Sequence, residues 1–134
     1  MTVLRIGRLI RLASLLAVVA ATTANAQDAD LVLKGQAVFK HSCAPCHGVG
    51  AGDDGRAMLP ASQSLQLKYR GEKSQFLEDR QDLPYPVLRT FVRRGSWSMP
   101  GFRKTEVSDA DVEAIAAYLA QSARRPPGTP GTER

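Results

Sequence analysis

The chain has 134 residues, 43% of them hydrophobic, and a formal charge of +5, a length that fits one domain with a modest core. Three of the positive charges, Arg5, Arg8 and Arg11, precede an apolar stretch, and without them the excess falls to +2. Dispersed charge of that size, with few aromatic residues, excludes a nucleic-acid-binding stripe.

Arg5, Arg8 and Arg11 form a positive n-region, Leu12 to Thr23 are mostly apolar, and Ala24-Asn25-Ala26 is a small-x-small cleavage site. The expectation is an export signal over 1–26, cleaved before Gln27, a domain over 27–125 and a disordered tail over 126–134. The uncharged stretch from Leu12 to Gln27 is 16 residues, short of the roughly 18 or more of a spanning helix. No stable membrane span is therefore expected after cleavage, and retention of the segment as an anchor is the alternative.

Leu31, Gly35, Val38, Phe39 and Ser42 fall on one face of a helix that runs from about Ala29 into the cysteines, with Asp28 or Asp30 as its cap. Phe39 stands four residues before Cys43, which puts its ring one turn back. Gly35 costs a helix about 1 kcal/mol, and what it permits in return is a close crossing by another helix.

Cys43-Ala44-Pro45-Cys46-His47 follows. Two cysteines separated by two residues, with histidine directly after, is the spacing of a c-type haem attachment site. Each thiol adds to one vinyl group of a single porphyrin, and the next residue then lies under the iron. One covalent haem c, held by Cys43 and Cys46 with His47 as the proximal ligand, is the expectation. A bare pair of this spacing also occurs in redox disulfides and zinc sites. Zinc would want two more ligands, and His41 alone remains among the strong nitrogen and sulfur donors. A thioredoxin-like motif would follow a strand in a βαβ unit, and no such pattern precedes it. A haem-free disulfide protein stays as an alternative.

Gly48, Gly50, Gly52 and Gly55, with Asp53-Asp54, make a loop by composition. It is expected to wrap the proximal side, with Pro60 offering a carbonyl to the second ring N–H of His47. Ser62 to Gln81 is polar and shows no readable element. Within it, Tyr69 and Arg70 either pair with a haem propionate or are solvated. From Pro84 to Arg94 the helical period returns, with Val87, Leu88, Phe91 and Val92 as its apolar stripe and Gly95 as its stop. A loop with Trp97, Met99, Pro100 and Phe102 leads to a last helix. Ser108 and Asp111 form its capping box, Val112, Ile115, Ala116 and Leu119 its inner face with Tyr118 beside them, and Pro126-Pro127 its end.

Met99, Met58 and His41 are the candidates for the face opposite His47. His41 lies two residues before Cys43 on the same helix and cannot reach across the porphyrin. Met58 falls in the proximal loop. Met99 stands between two helices with its backbone braced by Pro100, and is the expected distal ligand. A thioether is a soft donor that favours ferrous iron and raises the potential. It also fills the site, so the residues argue for moving one electron at a time.

The helix with Gly35 and Phe39, Cys43-Ala44-Pro45-Cys46-His47-Gly48, Ser98-Met99-Pro100-Gly101-Phe102 and the helix with Tyr118-Leu119 together resemble a class I cytochrome c over roughly Asp30 to Ala123. The resemblance implies an all-α fold, three to five helices around one covalent haem, with the terminal helices crossing where Gly35 and Phe39 meet Tyr118. Asp82-Leu83-Pro84, Thr90-Phe91-Val92-Arg93-Arg94-Gly95 and Met99-Pro100-Gly101-Phe102 are similar to the small cytochrome subunits of flavoprotein dehydrogenases such as 4-cresol dehydrogenase. It implies a periplasmic electron carrier rather than an enzyme, with a flavoprotein or quinoprotein dehydrogenase as donor and a respiratory cytochrome or oxidase as acceptor. Arg93, Arg94, Arg103 and Lys104 flank the Met99 loop, as a surface that steers an acidic partner or as a solvated face. The competing function is a haem-based sensor or peroxidase-like enzyme in which Met99 is labile.

Overall fold

The computed structural model describes residues 27–125 apart from Asp53, Asp54 and Arg56. The expected signal segment 1–26 and the tail 126–134 lie outside the described residues. The chain divides into two compact units, Met1–Asp30 and Leu31–Arg134. Of the first, residues 27–30 are described, and they are helical. The second unit opens with helical residues 31–42, here α1. It continues with α2 (Ala44–His47), α3 (Pro60–Tyr69), a 3-10 turn (Leu77–Asp79), α4 (Tyr85–Arg94) and α5 (Asp109–Ser122). The architecture is all-α as expected. Among the described residues the only extended pairing is an isolated bridge between Ser96 and Met99, and no helix is long and apolar enough to cross a membrane.

The last helix begins where the local sequence says it should. Ser108 Oγ accepts the Asp111 N–H at 3.1 Å, and Asp111 Oδ2 accepts the Ser108 N–H at 2.9 Å, so two orphan donors of the first turn are satisfied reciprocally. Val112, Ile115 and Leu119 are buried, and Tyr118, 2% exposed, joins them. Its hydroxyl donates to Glu78 and so ties the 3-10 turn to α5. Burial, reinforced by that carboxylate, pushes the phenol up to about 12.

Gly35 is where α1 meets α5. A Cβ there would overlap the Ala114 carbonyl and come within 2.9 Å of Tyr118 Cβ, so the two backbones approach more closely than any side chain allows. One turn on, the Phe39 and Tyr118 rings lie 5.5 Å apart at 48°, a tilted aromatic pair. Lys34 Nζ reaches Asp111 Oδ1 at 2.8 Å across the same crossing. The core is continued by Leu88 and Val92 of α4, and by Val107.

Two stretches show what the sequence left open. Of the apolar stripe on α4, Leu88 and Val92 are buried, whereas Val87 and Phe91 remain 37% and 40% exposed. The polar stretch after Ser62 is helical over most of its first half, which α3 occupies. Periodicity could not find that helix: Ser62 is its only buried residue, and Leu67 is 70% exposed.

Candidate functional site

The first helix delivers the cysteine motif and then tightens around it. Cys43 N–H bonds to the Phe39 carbonyl at 2.9 Å, and the Cys43 carbonyl accepts both Cys46 N–H at 3.1 Å and His47 N–H at 2.8 Å. Cys43, Cys46 and His47 therefore stand at i, i+3 and i+4 of continuous helical geometry, and such positions share a face. Gly48 closes α2, where a Cβ would come within 2.7 Å of the Ala44 carbonyl oxygen. Ser62 Oγ then donates to the Gly48 carbonyl at 3.0 Å, which docks α3 on the motif. Ser62 is fully buried, and nothing in the sequence singled it out.

The chemistry of these three side chains suits covalent attachment beside a ligating imidazole. Cys43 and Cys46 are both free thiols. Burial, with Cys46 adding to it, pushes the Cys43 thiol up to about 11, so it is held protonated. Burial first, and then the positive charge of Arg80, hold His47 below the ordinary imidazole value. The ring is neutral near pH 7 and keeps a lone pair for a metal. His47 Nδ1 is buried and has no hydrogen-bond partner among the described residues. The expected acceptor, the Pro60 carbonyl, instead takes the Ser64 hydroxyl at 2.9 Å, because Pro60 begins α3 and its carbonyl serves that helix.

Arg70 is not the sheltered cation of this region. It caps α3 in the left-handed conformation (φ 47°) and is exposed. Arg80 is the sheltered one, 8% exposed. It grips Asp82 through two bonds of 2.8 and 2.9 Å and lies 4.8 Å over the Tyr69 ring. With Lys73 also on Asp82 at 2.5 Å, these cations hold that carboxyl well below the usual carboxylate range, Arg80 contributing most.

Met99 sits apart from the cysteine motif, on the loop after α4, and its backbone is fixed. Its N–H and carbonyl exchange bonds of 2.9 and 3.0 Å with Ser96. Gly95 turns the chain with φ 68°, where a Cβ would strike the Met99 carbonyl oxygen. Trp97 occupies the left-handed region (φ 55°) at the tip of this turn and is fully exposed. Met99 itself is half-buried, as is Met58, and His41 is exposed on α1.

The four flanking cations are not a free patch. Arg93 and Lys104 both reach Asp109, at 2.8 and 2.6 Å, and Arg103 pairs with Glu106 at 3.1 Å. Among the described residues Arg94 alone of the four stays exposed with no ion pair. The two carboxylates offset only part of the charge of the other three, since Arg93 and Lys104 share one of them.

These residues fit a haem. Two free thiols and a neutral imidazole share one helical face, and the imidazole carries an unpaired buried nitrogen. Val87 and Phe91, one turn apart on α4, and Trp97 on the loop beyond it leave apolar surface uncovered, of the kind a porphyrin would cover. A closed zinc site would need more ligands, and among the described residues no three His, Cys, Asp or Glu side chains gather for a metal ion.

Comparison with known proteins agrees. Residues 30–119 match the family model described as cytochrome c oxidase, cbb3-type, subunit III. The chain is also similar to cytochrome c6 of Synechocystis sp., at 30% identity over 103 residues that cover 75% of this chain and 72% of that protein. No solved structure matches.

Proposed function

The chain belongs to the class I c-type cytochromes and is a monohaem electron carrier, and on that premise we propose that it is exported and works in the periplasm, taking single electrons from a dehydrogenase and passing them to a respiratory chain. Haem c, when bound, supplies a reversible one-electron couple. Cys43 and Cys46 would hold it by thioether links, and His47 and Met99 would supply the nitrogen and sulfur ligands to its iron.

The observation that carries this reading is the pairing of a preformed Cys-x-x-Cys-His turn with a separate loop whose backbone is pinned on both sides of Met99. A braced loop keeps the methionine in one place, and a filled distal position suits electron transfer better than turnover. The same bracing argues against the sensor or peroxidase-like alternative, which needs Met99 to leave. Arg5, Arg8 and Arg11 ahead of an apolar stretch support export. The likeness of Thr90 to Gly95 and Met99 to Phe102 to cytochrome subunits of flavoprotein dehydrogenases supports a dehydrogenase as donor. The matched family is described by an oxidase subunit, which supports a respiratory oxidase as acceptor. Arg94 and the net positive charge left on its paired neighbours would steer an acidic face of either partner, and such encounters need only a small interface.

Potentiometric titration tests the reading. A single wave with a slope of about 59 mV per decade, the one-electron value, is expected, together with negligible peroxide turnover. Steady peroxide reduction with Met99 intact would overturn it in favour of the enzyme.

A further inference from the structure

We propose that Arg93 is a positioning residue that latches the Met99 loop against the start of α5, with the Asp109 carboxylate as its anchor. The inference rests on the reading of Met99 as the distal ligand and adds to it the part that keeps the ligand in place.

The loop leaves α4 at Gly95 and returns at Phe102, and both ends are tied to the last turn of that helix. Gly95 N–H bonds to the Phe91 carbonyl at 2.8 Å, and Phe102 N–H to the Val92 carbonyl at 2.7 Å. The other half of the Phe102 backbone belongs to Arg93, whose Nη1 donates to its carbonyl at 3.2 Å. The same guanidinium turns Nη2 and Nε to Asp109 Oδ1, at 2.8 and 3.3 Å. One side chain thus joins α4, the returning end of the loop and the first residue of α5.

The fork is needed because the two acceptors lie on different elements. A lysine ammonium lacks that planar spread of donors. The charges facing the site come from every element around it: Arg89 Nε of α4 is 3.8 Å from Asp109 Oδ1, and Lys104 Nζ of the following segment is 2.6 Å from Oδ2. The Lys104 and Arg93 contacts, in that order, hold the Asp109 carboxyl down to about 2, so the anchor stays charged throughout the neutral and alkaline range. The Arg93 side chain is only 17% exposed, against 80% for Arg103. Solvent and salt therefore screen it less than an ordinary surface pair. Gly101 leaves the room this requires, since a Cβ there would press within 2.7 Å of the Arg93 carbonyl oxygen.

The test uses the holoprotein and two readouts. In the oxidised protein, the thioether-to-iron absorption band is followed as pH rises. In the reduced protein, amide exchange is followed at Phe102 and, as a control, at Leu119 in α5. Arg93→Met is expected to raise loop opening about tenfold, the worth of a charged hydrogen bond, and so to lower the pH midpoint of band loss by about one unit. Phe102 exchange quickens by the same factor while Leu119 is unchanged, and Arg93→Lys falls between. Asp109→Asn gives the same direction and serves if Arg93→Met does not fold. An unchanged midpoint with unchanged Phe102 exchange overturns the latch. A wild-type protein without the band refutes Met99 ligation instead, and Phe102 exchange alone then decides: faster in the variant supports the latch, unchanged refutes it.

Discussion

Met99→Ala is expected to abolish the thioether-to-iron band and to lower the reduction potential by a sizeable part of the roughly 0.8 V range that axial ligation spans. A soft sulfur donor stabilises ferrous iron, so its removal favours the oxidised state. The backbone around Met99 supports the attribution, because the Ser96 bonds and the turn at Gly95 use main-chain groups that alanine retains. The variant should therefore keep its loop while losing its ligand. Optical spectroscopy and potentiometry on the purified holoprotein check both effects. A retained band with an unshifted potential would assign the distal position to another residue, Met58 first.

Gly35→Ala is expected to cost about 2 kcal/mol of stability. Overpacking costs up to about 3 kcal/mol, and the better helix propensity of alanine returns about 1 kcal/mol. The upper figure applies because the obstacle is backbone: the added carbon meets the Ala114 carbonyl oxygen and carbon, and then Tyr118 Cβ at 2.9 Å. A flexible side chain could swing aside, whereas a carbonyl in α5 moves only with its helix. The crossing would widen and loosen the Phe39 and Tyr118 pair. For a domain of this size the loss corresponds to a fall in melting temperature of roughly 10 °C, with Gly35→Val worse. Thermal unfolding of the haem-bound protein measures it, and a melting temperature equal to the parent's would show that the helices do not meet at Gly35.

What could be read in advance was local or motif-bound. Ser108 and Asp111 announce the start of α5 because a capping box needs only four adjacent residues. Gly35, Phe39 and Tyr118 announce the helix crossing through the family likeness, and the packing agrees. The helix from Pro60 to Tyr69 was illegible because it buries a serine and exposes a leucine, which removes the periodic signal. The stripe of Val87, Leu88, Phe91 and Val92 does not tell which of its members pack inside, because an apolar residue on a helix reads the same whether it packs on protein or awaits a cofactor. The pairing of the cations near Met99 is invisible in the sequence, because ion pairs such as Arg93 with Asp109, 16 residues apart, depend on tertiary structure. The same is true of Arg80, whose burial beside Tyr69 and Asp82 no local pattern reveals.

The most direct test of an iron held by His47 on one side and Met99 on the other is to expose the reduced, purified protein to carbon monoxide. An unchanged absorption spectrum is predicted, because both axial positions are occupied and the loop holding Met99 is tied down. Rapid uptake of carbon monoxide at the haem would contradict the account and place the protein among those that bind or transform small ligands.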